Sequence, residues 1–211
     1  MMDMMKRIEE MGIVPVVVIE DAKQALPLAE ALCAGGLPCA EVTFRTAAAR
    51  DAIREMKKKE NMLVGAGTVL TPEQVDEAVD AGAEFIVSPG FNRNVVRHCK
   101  EKGIPVIPGV CTPTEVEMAL EEGIEVVKFF PAEAAGGIAM IKAMSAPYGS
   151  VRFMPTGGIT TENLADYLSC NKVIACGGSF MVSKKLINED QFGKIEELTR
   201  EAVSLCRKIR G

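Results

Sequence analysis

The chain has no tryptophan, two tyrosines and eight phenylalanines among its 211 residues, and it lacks any long apolar run. A membrane-spanning helix needs about twenty consecutive apolar residues, and a secretory signal peptide needs a shorter apolar core. The first twelve residues, MMDMMKRIEEMG, contain acidic side chains and no such core. We therefore expect neither a membrane span nor a signal peptide.

An excess of positive charge is also missing. The 24 lysines and arginines are outnumbered by 29 acidic residues, which gives a net charge of −5. This balance does not suit a surface that neutralises nucleic acid or anionic lipid, so we expect no partner of either kind. The seven cysteines are scattered, odd in number and without a Cys-x-x-Cys pair. This pattern is typical of reduced thiols that serve as small apolar residues in a cytoplasmic protein.

Histidine is scarce too. His98 is the only one, and it lies in the middle of the helical segment NRNVVRHCKEKG. A catalytic divalent metal usually needs several histidine, cysteine or carboxylate ligands that converge. The sequence therefore predicts a metal-independent protein without a cofactor, in which His98 is structural.

Eight short apolar runs with strand character alternate with segments of helical periodicity. The runs span residues 13–19, 39–44, 62–69, 84–90, 104–110, 125–131, 151–158 and 172–178. The helical segments begin with threonine or asparagine and proline and often end with glycine, which are helix start and stop signals. Eight repeats of one strand and one helix predict an α/β fold: a single (β/α)8 TIM barrel over 1–211, with an amphipathic N-terminal helix over its bottom.

An open, doubly wound sheet is the main competing fold. The only support for it is the GAG at 65–67, which lacks the further glycine of a dinucleotide-binding fingerprint. We therefore favour the barrel, whose active site lies where the strands end.

Lys128 is the most informative residue at a predicted strand end. It is the one cation in the apolar run VVKFFP (126–131), so a side chain that points into the barrel mouth is the simplest interpretation. Burial of a lysine disfavours its ammonium form and makes the amine a usable nucleophile for carbonyls. The alternative is a lysine that extends from the strand end to solvent.

Glu41 and Arg45 share one face of the second predicted strand, because side chains alternate along a strand. A carboxylate there can transfer protons, and a guanidinium can bind a substrate carboxylate through two parallel hydrogen bonds. The alternative is an ion pair that braces the strand.

Glycine-rich loops end the seventh and eighth predicted strands, at PTGGI (155–159) and CGGSF (176–180). Glycine lets backbone N–H groups approach an anion, and the start of a short helix can add to the attraction. Together the two loops predict a phosphate site to which Ser179 adds a hydroxyl donor, although Gly-Gly is also common in turns and serine in helix caps.

Seven motifs together resemble one known family, the 2-keto-3-deoxy-6-phosphogluconate (KDPG) and 4-hydroxy-2-oxoglutarate (KHG) aldolases. The motifs occur in the family's order at similar spacing: EVTFRT (41–46), GAGTVL (65–70), SPG (88–90), IPGV (107–110), VKFFPAE (127–133), PTGGI (155–159) and GGS (177–179). The resemblance covers nearly the whole chain.

This resemblance implies a class I, Schiff-base aldolase that cleaves KDPG to pyruvate and glyceraldehyde 3-phosphate, and KHG to pyruvate and glyoxylate. It also implies a homotrimer. The implied roles are imine formation for Lys128, acid–base catalysis for Glu41, carboxylate binding for Arg45 and Thr68, a pyruvyl pocket for Pro89 and Phe130, and phosphate binding for Gly157, Gly158, Gly178 and Ser179.

Three alternatives stay open at this stage. In the first alternative, the substrate of the aldolase is the galactonate epimer of KDPG. In the second, the chain is a sugar-phosphate isomerase or decarboxylase in which Lys128 acts by charge or acid–base catalysis. In the third, it is a sugar-phosphate binding protein without catalysis. Covalent trapping of a carbonyl substrate distinguishes the aldolase from the last two.

Overall fold

A computed structural model describes residues 2–211 and contains two parallel sheets. The first has six strands in the order β5-β4-β3-β2-β1-β9 and is curled, like half a barrel; the second has three strands in the order β6-β7-β8. The strands in the described chain are β1 (Ile13–Val17), β2 (Cys39–Thr43), β3 (Leu63–Gly67), β4 (Phe85–Val87), β5 (Val106–Ile107), β6 (Gly109–Val110), β7 (Val126–Phe129), β8 (Arg152–Pro155) and β9 (Cys176–Gly178).

Each of the eight predicted runs contains strand structure, but the fifth run contains two short strands. Pro108 separates β5 from β6 because proline has no N–H to donate to the ladder. Two isolated parallel bridges, Phe153 with Val173 and Thr156 with Gly177, lie between β8 and the segment that contains β9. The predicted α/β fold with parallel strands is confirmed, and closure into an eight-stranded barrel stays a prediction.

Helices follow the strands along the described chain, and several begin and end at the predicted signals. Thr71 and Thr112 accept a hydrogen bond from the first helical turn and are each followed by proline, and Gly103 ends a helix in the left-handed conformation. The helices are α1 (Met2–Met11), α2 (Ala25–Ala34), α3 (Ala49–Met56), α4 (Pro72–Asp80), α5 (Arg93–Lys102), α6 (Pro113–Glu121), α7 (Gly137–Ser145), α8 (Leu164–Leu168), α9 (Lys184–Asn188) and α10 (Phe192–Arg210).

Alternation along the strands divides the buried side chains between two clusters. Ala40 and Val42 of β2 and Val127 and Phe129 of β7 belong to the large cluster that includes the helix faces. Cys39 of β2 and Val126 of β7 belong to a second group, which we call the interior cluster. The interior cluster consists of Met4, Ile8, Val14, Cys39, Leu63, Phe85, Val87, Ile107, Val126, Met154, Ile174 and Ala175.

The N-terminal helix packs as predicted. Met4 and Ile8 of α1 contact the interior cluster, in which Cys39, Leu63 and Phe85 are the first residues of their strands. The amphipathic α1 therefore covers the amino-terminal ends of the strands, opposite the ends at which the site residues lie.

The cysteines are unpaired, as predicted. All seven have free thiols, and four of them are buried. Burial raises the pKa of the Cys99 thiol to about 12, so this thiol stays neutral and packs as an apolar group. In the part of the chain that the structure describes, no helix combines the length and the apolar character that crossing a membrane requires.

We expect Ile8→Ala to lower the free energy of unfolding by about 2–4 kcal/mol, because Ile8 is fully buried and the truncation leaves a cavity in the interior cluster. Urea denaturation measures this change. Lys6→Ala on the same helix is the control, since the Lys6 side chain is 74% exposed; its effect should stay within about 0.5 kcal/mol. Equal effects of the two substitutions would contradict the packing of α1.

Candidate active site

The Lys128 side chain lies on the inner face of β7, the face of the interior cluster, as its place in an apolar strand predicted. It lies two residues after Val126 on β7 and therefore on the same face. The residue is only 4% exposed. Its Nζ lies 3.4 Å from Glu41 Oε1 and 5.3 Å from the centre of the Phe130 ring. The amine is thus held between a carboxylate and an aromatic face in a nearly dry environment.

Glu41 reaches Lys128 because glycine leaves room on the neighbouring strand. Glu41 is fully buried, and a Cβ atom added to Gly67 of β3 would lie 2.1 Å from Glu41 Oε1. Only glycine fits at that position. The GAG at 65–67 therefore makes space for a carboxylate and is not part of a dinucleotide-binding loop.

Arg45 lies near the site but not in the strand. β2 ends at Thr43, and Arg45 occupies the following turn, so the prediction that both Glu41 and Arg45 belong to the strand was wrong for Arg45. The chain turns where Thr43 Oγ1 donates to the Val17 carbonyl at 2.8 Å and accepts from Arg45 Nε at 3.2 Å. The exposed guanidinium is thereby fixed at the mouth of the site.

Thr68 has a backbone conformation that is rare for its type. Its φ is +55°, in the left-handed region that β-branched residues seldom adopt. The neighbours hold it there: the Phe44 N–H donates to the Gly67 carbonyl at 2.7 Å, and the Val69 N–H donates to the Val87 carbonyl at 3.2 Å. Strained residues of this kind concentrate at functional sites.

The two glycine motifs lie side by side, but only one is a loop: Gly157 and Gly158 follow β8, whereas Gly177 and Gly178 are the last residues of β9. Gly157 and Gly158 have φ values of +100° and +81°. No backbone carbonyl among residues 2–211 accepts a hydrogen bond from the N–H groups of Gly157, Gly158 or Ser179. Neither motif leads directly into a helix, because α8 begins at Leu164 and α9 at Lys184, so the attraction that a helix start can add is not supplied at these glycines. Ser183 instead of Ser179 caps α9, so helix capping does not explain Ser179.

One cavity of about 300 Å³ brings together every site residue predicted from the sequence. Pro89 and Phe130 lie in its wall beside Lys128, and the glycine loops form another part of the wall. The lining residues are Val16, Glu41, Arg45, Thr68, Pro89, Lys128, Phe130, Thr156, Gly157, Gly158, Ile159, Gly177, Gly178 and Ser179. The individual roles given above stay predictions.

Two buried polar atoms in this cavity have no hydrogen-bond partner within the described residues: Glu41 Oε2 and Thr156 Oγ1. Buried polar atoms in native proteins nearly always have a partner. These two atoms therefore mark places where a substrate or a water molecule fits. Thr156 belongs to the PTGGI motif, and the sequence analysis assigns no role to it.

The single histidine lies outside the cavity. His98 is on α5, and its Nε2 lies 2.9 Å from Asp76 Oδ1 on α4, so it joins two helices at the surface. Among residues 4–211, whose side chains the structure describes, no three histidine, cysteine, aspartate or glutamate side chains are arranged to hold a metal ion.

Comparison with known proteins gives consistent results. Residues 4–198 match the model of an aldolase family, KDPG and KHG aldolase. The 2-dehydro-3-deoxy-phosphogluconate aldolase of Treponema pallidum is 48% identical over 97% of this chain and 98% of its own length.

Two solved structures are also similar. The 2-keto-3-deoxy-6-phosphogluconate aldolase of Zymomonas mobilis with 3-phosphoglycerate has a TM-score of 0.92 and 40% identity, over 97% of each chain. The KDPG aldolase of Legionella pneumophila, with pyruvate captured as a covalent carbinolamine, has a TM-score of 0.90 and 41% identity, over 94% of this chain and 97% of that one.

A buried lysine beside a carboxylate, at the ends of parallel strands and in a chain that matches aldolases throughout, defines a carbon–carbon lyase of class I, the aldolases that need no metal. Within that class, the chain belongs to the KDPG and KHG aldolase family.

The left-handed backbone of Thr68 predicts which of two substitutions gives the more stable protein. We expect Thr68→Gly to unfold with a free energy about 1 kcal/mol higher than Thr68→Ala, because glycine adopts a positive φ without the Cβ clash. At an ordinary extended position alanine is the more stable of the two. Urea denaturation of both variants measures the difference, and a more stable Thr68→Ala would contradict the conformation.

Proposed function

We propose that this chain is a class I aldolase that cleaves KDPG to pyruvate and glyceraldehyde 3-phosphate through an imine on Lys128, and that it also cleaves KHG to pyruvate and glyoxylate. One observation carries the proposal: a buried amine 3.4 Å from a buried carboxylate, in a cavity whose other wall is made of two glycine loops.

Lys128 is the proposed nucleophile. Its amine attacks the C2 ketone and water leaves, which gives an iminium on Nζ. The positive nitrogen accepts the electron pair that is released when the C3–C4 bond breaks. The relative from Legionella pneumophila, with pyruvate captured as a covalent carbinolamine, supports this chemistry.

Glu41 is the proposed acid and base. Its Oε1 contacts the amine, while its Oε2 has no partner among the described residues. The free oxygen takes the C4 hydroxyl proton directly or through water as the C3–C4 bond breaks and glyceraldehyde 3-phosphate leaves. The enamine that remains on Lys128 is then protonated at C3. Hydrolysis of the pyruvate imine then returns the amine.

The remaining residues are proposed to bind the two ends of the substrate. Arg45 and Thr68 bind the carboxylate, and Pro89 and Phe130 line the pyruvyl pocket. At the other end, Gly157, Gly158, Gly178 and Ser179 bind the phosphate through N–H and hydroxyl donors. The relative from Zymomonas mobilis, solved with 3-phosphoglycerate, supports a site for a phosphorylated carboxylate.

We favour KDPG over its galactonate epimer because the curated relatives at 40–48% identity include several that carry the gluconate name, such as those of Treponema pallidum and Haemophilus influenzae. A native KDPGal structure is 28% identical, at a TM-score of 0.84. The galactonate epimer is the alternative substrate, and turnover of the two epimers distinguishes them.

We also propose a closed barrel fold, a single domain, a homotrimer and a cytoplasmic location. The bridges between β8 and the segment of β9, together with the continuation of β5 into β6 across Pro108, support one closed (β/α)8 barrel. The family match over residues 4–198 supports a single domain over 1–211. The family resemblance supports a homotrimer, and the unpaired cysteines support a cytoplasmic location.

We expect intact-mass analysis after incubation with pyruvate and sodium borohydride to show one reduced pyruvyl adduct on the wild type and none on Lys128→Ala. Lys142→Ala, at an exposed position on α7, is the matched control and should keep the adduct. An adduct on Lys128→Ala, or none on folded wild type, would exclude the imine at Lys128.

We expect Glu41→Gln to lower kcat for KDPG cleavage by a factor of about one hundred, because the amide cannot take the C4 hydroxyl proton. Imine formation with pyruvate should be partly retained. Steady-state kinetics and borohydride trapping measure the two steps, with Glu125→Gln, an exposed glutamate before β7, as the control. Full turnover by Glu41→Gln would remove this residue from the mechanism.

A further inference from the structure

The Gly157–Gly158 loop is tied to the segment that follows β7. The Ala132 N–H donates to the Thr156 carbonyl at 2.8 Å, and the Glu133 N–H donates to the Gly157 carbonyl at 3.1 Å. These bonds fix the loop from the side of residues 131–133.

The same loop is tied to α8 on its other side. Asn163 Nδ2 donates to the Gly158 carbonyl at 2.9 Å. One turn further on, the Tyr167 hydroxyl of α8 donates to Glu133 Oε1. Tyr167 is 1% exposed, so packing fixes its ring. Burial and the carboxylate of Glu133 raise the pKa of Tyr167, which keeps its hydroxyl protonated and able to donate.

The side chain of Glu133 also packs directly against the loop. A Cβ atom at Gly158 would lie 2.6 Å from Glu133 Cγ. A Cβ atom at Gly137 would lie 3.2 Å from both Glu133 Oε1 and the Tyr167 hydroxyl oxygen. Two glycines thus make room for this one hydrogen bond.

Neither member of the pair lines the substrate cavity. Glu133 is exposed, and Tyr167 lies behind the loop in the large cluster. Their contacts form a closed circuit: Glu133 bonds Gly157 through its backbone and Tyr167 through its side chain, while the helix of Tyr167 bonds Gly158 through Asn163. The glycine loop lies inside this circuit.

We infer that Glu133 and Tyr167 are positioning residues that hold the Gly157–Gly158 loop in its anion-binding shape and so set the preference for a phosphorylated over a non-phosphorylated substrate. The inference rests on the proposed function. Backbone N–H donors bind an anion well only when the loop is ordered before the anion arrives, because otherwise binding has to order it. The amine and the carboxylate of the site lie on β7 and β2, outside the circuit.

The test compares kinetics with KDPG, which carries a phosphate, and KHG, which does not. We expect Tyr167→Phe and Glu133→Ala to raise KM for KDPG by about five- to tenfold, the effect of losing one hydrogen bond, with little change in kcat. The kcat/KM for KHG and the borohydride adduct with pyruvate should not change. Glu133→Gln keeps an acceptor for the tyrosine and should keep the preference for KDPG.

The chain offers a matched control in its other tyrosine. Tyr148 donates to Glu117 Oε1 at 2.7 Å, away from the substrate cavity, so Tyr148→Phe loses an equivalent bond without touching the loop. It should leave both substrates unaffected.

The outcomes separate the inference from the proposed function. Equal losses for KDPG and KHG, or no loss for either, in the Tyr167 and Glu133 variants would overturn the inference while wild type still cleaves both. Wild type that cleaves neither would overturn the proposed function itself. If Tyr167→Phe fails to fold, Glu133→Ala decides, because Glu133 is exposed and does not belong to the large core cluster.

Discussion

The burial of an amine next to a carboxylate is the constraint on which the site depends. Lys128 and Glu41 are both withdrawn from water, and each alone would carry a large desolvation cost in this interior. Their contact offsets part of that cost, and Gly67 supplies the space that the contact needs. The apolar residues of the interior cluster exclude water from the strand ends opposite the mouth. Residues on three strands, β2, β3 and β7, therefore contribute to the contact between Lys128 and Glu41.

Parallel strands explain how residues far apart in the chain form one cavity. Their carboxyl ends lie on one side of the sheet, so each loop contributes one or two residues to the same cavity. The loops differ in what they provide. Thr68 is held in a strained conformation by backbone hydrogen bonds on both sides, whereas Gly157 and Gly158 adopt left-handed conformations without strain, and no backbone carbonyl among residues 2–211 accepts from their N–H groups.

The sequence predicted those parts of the site that depend on local patterns. A single cation in an apolar strand located Lys128, and alternation placed Glu41 on the inner face. Alternation does not say where a strand stops, which is why Arg45 was assigned to β2 although the chain already turns at Thr43. A short helix can add to an anion site at such glycines, but Gly157 and Gly158 lie in a bend, and Gly177 and Gly178 belong to β9. The bond between Glu133 and Tyr167 joins the segment after β7 to α8, two parts of the chain that no periodicity relates.

The N-terminal helix has a consequence for the order of events. Met4 and Ile8 belong to the apolar cluster between the amino-terminal ends of the strands, so apolar side chains fill the space below Lys128. We therefore expect the reactant and both products to pass through the mouth at the carboxyl ends of the strands. In the proposed reaction the three-carbon fragment bound to the lysine lies deepest, and the aldehyde lies between it and the solvent. This arrangement agrees with the order of departure that the covalent bond to Lys128 imposes in the proposed reaction: the aldehyde exits first, and pyruvate follows after hydrolysis of its imine.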